Sequence, residues 1–235
     1  MKAAIMQPYI LPYVGYFQLI NSVDTFMLFD DVAYINKGWV NRNRMLINGQ
    51  PNYFVFPIEA ASQNKTIDSL SFTNDKWREK LEKTVLMSYK KAPHFEETFE
   101  LFKSILWFDD LNVSAYLHNS IRLVCERLEI TTKLIASTKV FENQEMKGQD
   151  RIIDICVKSG VKTYINPPGG MELYEKSRFD EKGIELLFLK PTLMPYKQLG
   201  SSPFEPGLSV LDLLMNCDQS FLKEQIQNYQ LVSNG

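Results

Sequence analysis

Residues 2–31 read KAAIMQPYILPYVGYFQLINSVDTFMLFDD, and the fold turns on how this stretch divides. "KAAIM" (2–6) is a short apolar run that predicts a buried strand. "GYFQLINSV" (15–23) spaces Phe17, Leu19, Ile20 and Val23 as a helix does. "DTFMLFDDV" (24–32) is apolar from Phe26 to Phe29 and closes on Asp30 and Asp31, which predicts a second strand. Strand, helix and strand in about thirty residues is the size of a βαβ unit. The loops after both strands then fall at the carboxyl edge of a parallel sheet, where open α/β sheets bind ligands.

The rest of the chain extends this pattern. "AYINKGWVNRNRMLING" (33–49) is polar and loop-like, and a turn at Asn48-Gly49 precedes a strand from Tyr53 to Pro57. Residues 74–130 hold three helical patterns with no strand between them. They carry apolar stripes at Trp77, Leu81, Val85 and Leu86, at Phe95, Phe99, Phe102 and Leu106, and at Leu117, Ile121, Val124 and Leu128. Alternation then resumes: strand (132–138), helix (149–160), strand (162–170, ending in a Pro/Gly loop), short helix (172–183), strand (184–191) and two terminal helices (208–217 and 220–230). The expected architecture is a single α/β domain over 1–235: a mainly parallel sheet flanked by helices, with an inserted helical subdomain at about 74–130.

Composition narrows the function. The chain is 45% hydrophobic and carries a net charge of −2, so no overall field draws DNA or an anionic membrane. Cys125, Cys156 and Cys217 are widely spaced and odd in number, which predicts buried thiols rather than a disulfide framework or zinc site. His94 and His118 have no partners at metal-ligand spacing, so no metal is expected. No stretch has the length and apolar character of a membrane span or leader, and a cytoplasmic protein is the expectation.

Four segments carry residues suited to ligand binding. The opening turn offers Gln7, Tyr9, Tyr13 and Tyr16 beside Gly15, at the start of a helix whose N–H groups favour an anion. "FDDVAYINKGWVNRNRM" (29–45) crowds Asp30, Asp31, Lys37, Trp39, Asn41, Arg42 and Arg44 together. Charge at a strand end with arginines at i and i+2 suits clamping a phosphate or carboxylate, and Trp39 and Tyr34 suit stacking on a base or sugar. A carboxylate raised by burial beside its neighbour suits a general base, while a strand-end group near solvent is expected to contribute little to stability. "NPPGGMELY" (166–174) places Gly169 and Gly170 between strand and helix, where backbone N–H groups can meet an anion. Tyr196 is a candidate pocket wall, whereas Ser209 reads as a helix N-cap. The opening turn and the Asp/Arg segment are expected to share one pocket.

"MQPYILPYVGYFQLI", "FDDVAYINKGWVNRNR", "INPPGG" and "FEPGLSVLDLLMN" together resemble the WbqC-like family, over residues 3 to about 217. The resemblance implies a bacterial cytoplasmic protein linked to O-antigen or other surface-polysaccharide synthesis. Members of that family have been suggested to attach acyl or aminoacyl groups, such as glycine, to amino sugars. The implied activity is amide formation on a nucleotide-linked amino sugar, by an acyltransferase or amide-forming ligase. In that scheme Asp30 or Asp31 is the base. Arg42 and Arg44 hold phosphates, and Gln7, Tyr9, Tyr16 and Asn41 orient sugar or carbonyl. The donor stays open among ATP with a free amino acid, an acyl thioester and a charged tRNA. A weaker resemblance links "LPYVGY" to the H-x-G-H turn of nucleotidyltransferases, but both histidines are missing. A non-catalytic sugar- or nucleotide-binding accessory protein and an ATP-dependent ligase on that fold are the alternatives.

Overall fold

The computed structural model describes residues 1–200 and 203–233. Its first strand, β1 (Lys2–Met6), leads through the opening turn to α1 (Val14–Asn21) and then to β2 (Thr25–Leu28). The remaining parallel strands are β5 (Lys133–Ile135), β6 (Thr163–Asn166) and β7 (Glu185–Pro191), and β8 (Tyr229–Val232) closes the edge antiparallel to β7. The six-stranded order is β5-β2-β1-β6-β7-β8. From β1 the chain builds outward through β2 to β5, then returns to β6 beside β1 and builds the other way. Strands β1 and β6 are therefore neighbours whose following loops diverge, which is the topological switch point of an open α/β sheet.

Alternating side chains divide the core between the two faces. Ala4, Phe26, Leu28, Ile165 and Leu189 pack under α1, the middle helices and the two terminal helices. Ala3, Ile5, Met27, Tyr164, Leu186 and Phe188 face α5 (Gly148–Lys158) and α6 (Lys176–Asp180). The middle helices α2 (Trp77–Tyr89), α3 (Phe95–Leu106) and α4 (Val113–Arg127) follow one another without a strand, and their apolar faces join the first of these cores. The terminal helices are α7 (Val210–Asn216), capped by the Ser209 hydroxyl on Leu211 N–H at 3.2 Å, and α8 (Gln219–Gln227).

Three local expectations need correction. The stretch expected to be a loop contains β3 (Arg42–Ile47), which pairs antiparallel with β4 (Gln50–Val55) across Asn48-Gly49. Its residues alternate, with Asn43 and Met45 buried and Arg42 and Arg44 on the opposite side, so polar composition masked a period of two. The last residues assigned to the final helix, Tyr229 and Gln230, begin β8. In α2 the buried stripe runs through Leu81, Val85 and Tyr89, and Leu86 is exposed. Cys125, Cys156 and Cys217 are buried and free, although Cys217 lies just beyond α7 rather than within it.

Candidate functional site

The opening turn is held more tightly than a surface loop requires. Leu11 adopts a left-handed backbone (φ 41°) while buried, a strained conformation that persists only where its surroundings enforce it. Asn43 Nδ2 donates to the carbonyls of Ile10 (3.1 Å) and Leu11 (2.7 Å), and Ser209 Oγ donates to Leu11 O at 2.8 Å. Ile10 N–H reaches Val40 O, Val210 N–H reaches Pro12 O, and the Tyr16 hydroxyl reaches Gln7 O. Gly15 lets the Tyr13 ring fold back over the start of α1, since a Cβ there would sit 2.5 Å from the ring and push it aside.

This turn forms one wall of a cleft of about 500 Å³ at the switch point. Gln7 follows β1, and Asn166, Pro167, Gly169 and Gly170 follow β6. Gly148 and Gln149, the first residues of α5, close the third side, with Ile5, Phe29, Ile152, Leu173 and Tyr174 as the apolar lining. Among the described residues no Asp, Glu, Lys or Arg lines it. Gly170 is needed for close approach, since a Cβ there would lie 1.9 Å from Asn166 Nδ2. An apolar slot with amides and helix-start N–H groups at its rim suits a flat ring with polar edges.

Two smaller hollows continue from it. Met6 and Pro167 also line a chamber of about 120 Å³ beneath Tyr9, Tyr13, Gly15 and Tyr16. Tyr9 and Tyr13 in turn wall a pocket of about 270 Å³ with Trp39, Asn43, Arg44 and Gly207. Burial pushes the phenols of Tyr9, Tyr13 and Tyr16 above their ordinary range, so all three remain neutral hydrogen-bond donors at neutral pH.

Asp30 and Asp31 sit elsewhere, at the end of β2 facing β5 and α5. Asp31 is buried, not near solvent. It pairs with Arg151 Nη2 at 2.5 Å, accepts from Thr138 Oγ1 at 2.6 Å and takes Gln144 Nε2 at 3.1 Å. Arg151 also donates to Asn143 Oδ1 and lies over the Phe29 ring at 4.8 Å. Asp30 accepts from Ser114 and from Ser137 Oγ at 2.6 Å. Burial first, with the charge of Asp31 adding to it, raises the Asp30 carboxyl above its usual value against the pull of those hydroxyls. Neither carboxylate lines any of the three hollows.

The remaining candidates separate further. Asn41 is buried between Tyr34 and the Phe56 carbonyl. Arg42 binds the carbonyls of Gly38 and Lys37 and stacks on Tyr53, with Lys37 exposed at φ 58°. Tyr196 donates to Asp212, which also takes Tyr89 and Gln198, a closed polar knot under α7. Gln7, Tyr9, Tyr16, Trp39, Arg44, Gly169 and Gly170 border the row of hollows. Asn166, Gln149 and Asn43 were missed. Asn166 ends a strand before "PPGG" and Gln149 opens a helix on the same edge, so position carried the signal that charge did not. Of the Asp/Arg segment, Trp39 and Arg44 share a pocket with Tyr9 and Tyr13 of the opening turn, whereas Asp30, Asp31 and Arg42 do not line it.

The WbqC-like protein family model matches residues 7–224, which takes in the opening turn, β3, the Pro/Gly loop and α7. The chain belongs to the WbqC-like protein family. It is 29% identical over 223 residues to the uncharacterized protein Rv1507c of Mycobacterium tuberculosis, covering 92% of this chain and 93% of that one. No solved structure matches. Among the described residues no group of His, Cys, Asp and Glu is placed to hold a metal ion, and no helix is long and apolar enough to cross a membrane.

Proposed function

We propose that this WbqC-like protein is a nucleotide-binding transferase that forms an amide on a nucleotide-linked amino sugar, in the making of O-antigen or a related surface polysaccharide. The observation that carries the nucleotide part is the uncharged cleft at the β1–β6 switch point, rimmed by Gln7, Asn166, Gly170 and the start of α5. The amide-forming part rests on the family resemblance.

In this reading the sugar amine attacks an acyl carbonyl. A C–N bond forms, the bond from acyl carbon to its oxygen or sulfur leaving group breaks, and the proton lost by the amine leaves with that oxygen or sulfur. The chain acts mainly by positioning and by desolvation. Tyr9 and Tyr13, kept neutral by burial, donate to the oxygen on which negative charge develops. The role of Asp31 shifts from base to positioning residue, because its pair with Arg151 locks the first turn of α5 against β2 and so fixes one wall of the cleft.

A second reading is an ATP-dependent ligase, with the donor made as an acyl adenylate or phosphate. It draws on the weaker resemblance of the turn between β1 and α1 to the nucleotidyltransferase turn, at the same place before the first helix. Incubation with a nucleotide-linked amino sugar and each donor in turn (ATP plus glycine, an acyl thioester, a glycyl-tRNA) distinguishes them. Mass spectrometry shows the sugar heavier by one acyl group if the proposal holds, and AMP or ADP release marks the ligase. Tight nucleotide-sugar binding with unchanged substrate for every donor points to a non-catalytic binding protein instead.

A further inference from the structure

We infer that the 270 Å³ pocket between the opening turn and β3 is a subsite for a single pyranose ring, separate from the cleft that takes the nucleotide. The inference rests on the reading of the substrate as a sugar conjugate, and it names where the sugar lies. Three aromatic side chains, Tyr9, Tyr13 and Trp39, form its walls, with Asn43, Arg44 and Gly207 completing it. Trp39 is 47% exposed, an unusual position for the largest apolar side chain, and its ring leans on Tyr53 at 6.2 Å between centroids. A pyranose has one face of C–H bonds and a rim of hydroxyls. The first stacks on an aromatic face, and the second needs planar donors and acceptors at the edge.

Arg44 decides between a sugar and a phosphate. Its Nη1 pairs with Glu205 Oε1 at 3.2 Å and its Nη2 donates to Pro206 O at 3.3 Å, so its charge is already matched and its plane is held from one side. Its Nε is buried beyond the reach of a ligand, and the second N–H on each Nη is what the half-exposed end of the side chain can offer. A guanidinium whose charge is already matched is a fixed donor for a hydroxyl rather than a bare cation for a phosphate. The volume lies just below the roughly 300–1,000 Å³ of pockets that enclose drug-sized ligands, which fits one ring. Tyr9 and Tyr13 also wall the 120 Å³ chamber, and that chamber shares Met6 and Pro167 with the cleft. Nucleotide, reacting group and sugar thus have three hollows, the middle one sharing walls with each of the others.

The test uses methyl β-D-glucosaminide as the sugar probe and UDP as the nucleotide probe, each followed by saturation-transfer NMR on the whole protein. The sugar should receive saturation from the wild-type protein. Trp39→Ala should weaken that binding about tenfold, as loss of a central aromatic contact does, while Trp39→Phe restores most of it and UDP binding stays the same in both. Sugar binding that is absent, or equal in wild type and Trp39→Ala, overturns the subsite even where UDP binds. Sugar binding that depends on Trp39 in a protein that does not bind UDP supports the subsite and overturns the nucleotide reading instead.

Discussion

Two regions of the carboxyl sheet edge lie one strand apart and have opposite characters. At the end of β2, Asp30 and Asp31 are ringed by Ser114, Ser137, Thr138, Gln144 and Arg151, and every strong donor and acceptor there is matched. At the ends of β1 and β6 no charged residue among those described lines the cleft, yet polar groups of Gln7, Asn166 and Gln149 border open space. Density of charge marks the first region in the sequence, and uncharged amides beside open space mark the second in the structure, with Asn166 Oδ1 accepting from Tyr164 and Gln149 Oε1 from Glu175 N–H. The charges build the wall of the cleft, and the uncharged residues face what enters it.

That contrast breaks most easily at Arg151. Arg151→Ala strands the Asp31 carboxylate in a buried site, so unfolding free energy should drop by roughly 3–5 kcal/mol, read from urea denaturation. A variant as stable as wild type would mean that the pair is not structural. Next in size is Asn43→Ala, which takes the side-chain donor from the Ile10 carbonyl and one of two from the Leu11 carbonyl, leaving Ser209 on the latter. A loss of about 1–3 kcal/mol is expected, together with faster amide exchange in residues 9–13. An unchanged opening turn would show that Ser209 and Val210 suffice to hold it.

Gln7→Ala sharpens the contrast from the other side. Gln7 is half-buried at the cleft and only its carbonyl oxygen is engaged by the fold. Stability should change by less than about 0.5 kcal/mol, while UDP affinity falls about tenfold, the value of one lost hydrogen bond in an enclosed site. Equal affinity in calorimetry would remove Gln7 from the site. The smallest effect belongs to Asp30. Its carboxyl titrates above the value it has in the unfolded chain, so the folded state binds its proton first. Stability from this group therefore rises as pH falls through the window between the two values and is lost as pH rises through it. Asp30→Asn should remove that trend: wild type gains on the variant as pH falls from neutral toward the ordinary carboxylate range. A wild-type advantage that grows with pH instead would reverse the assigned direction.

Much of the fold was legible because its signals are local. The run "KAAIM", the spacing in "GYFQLINSV" and the run "DTFMLFDDV" gave β1, α1 and β2 nearly to the residue. What was not legible came from pairing across distance. Strand β3 looked like a loop because Arg42, Asn43 and Arg44 are polar on both faces, and only β4 opposite makes them a strand. Asp31 looked exposed because its partner Arg151 lies 120 residues away. In the candidate site, glycine and aromatic clusters marked the edge where the hollows lie, since turns and stacking walls are built from neighbours. Asn166 and Gln149 gave no compositional signal, because their importance comes from β6 lying beside β1 and α5 starting beneath them.

A crystal structure of the protein bound to a nucleotide-linked amino sugar tests the central claim most directly. The base and ribose should lie between Gln7, Asn166, Gly170 and the first turn of α5, with Asp31 and Arg151 still paired behind the wall. A nucleotide lodged against Asp30 and Asp31, with Arg151 drawn away to meet it, would contradict the account.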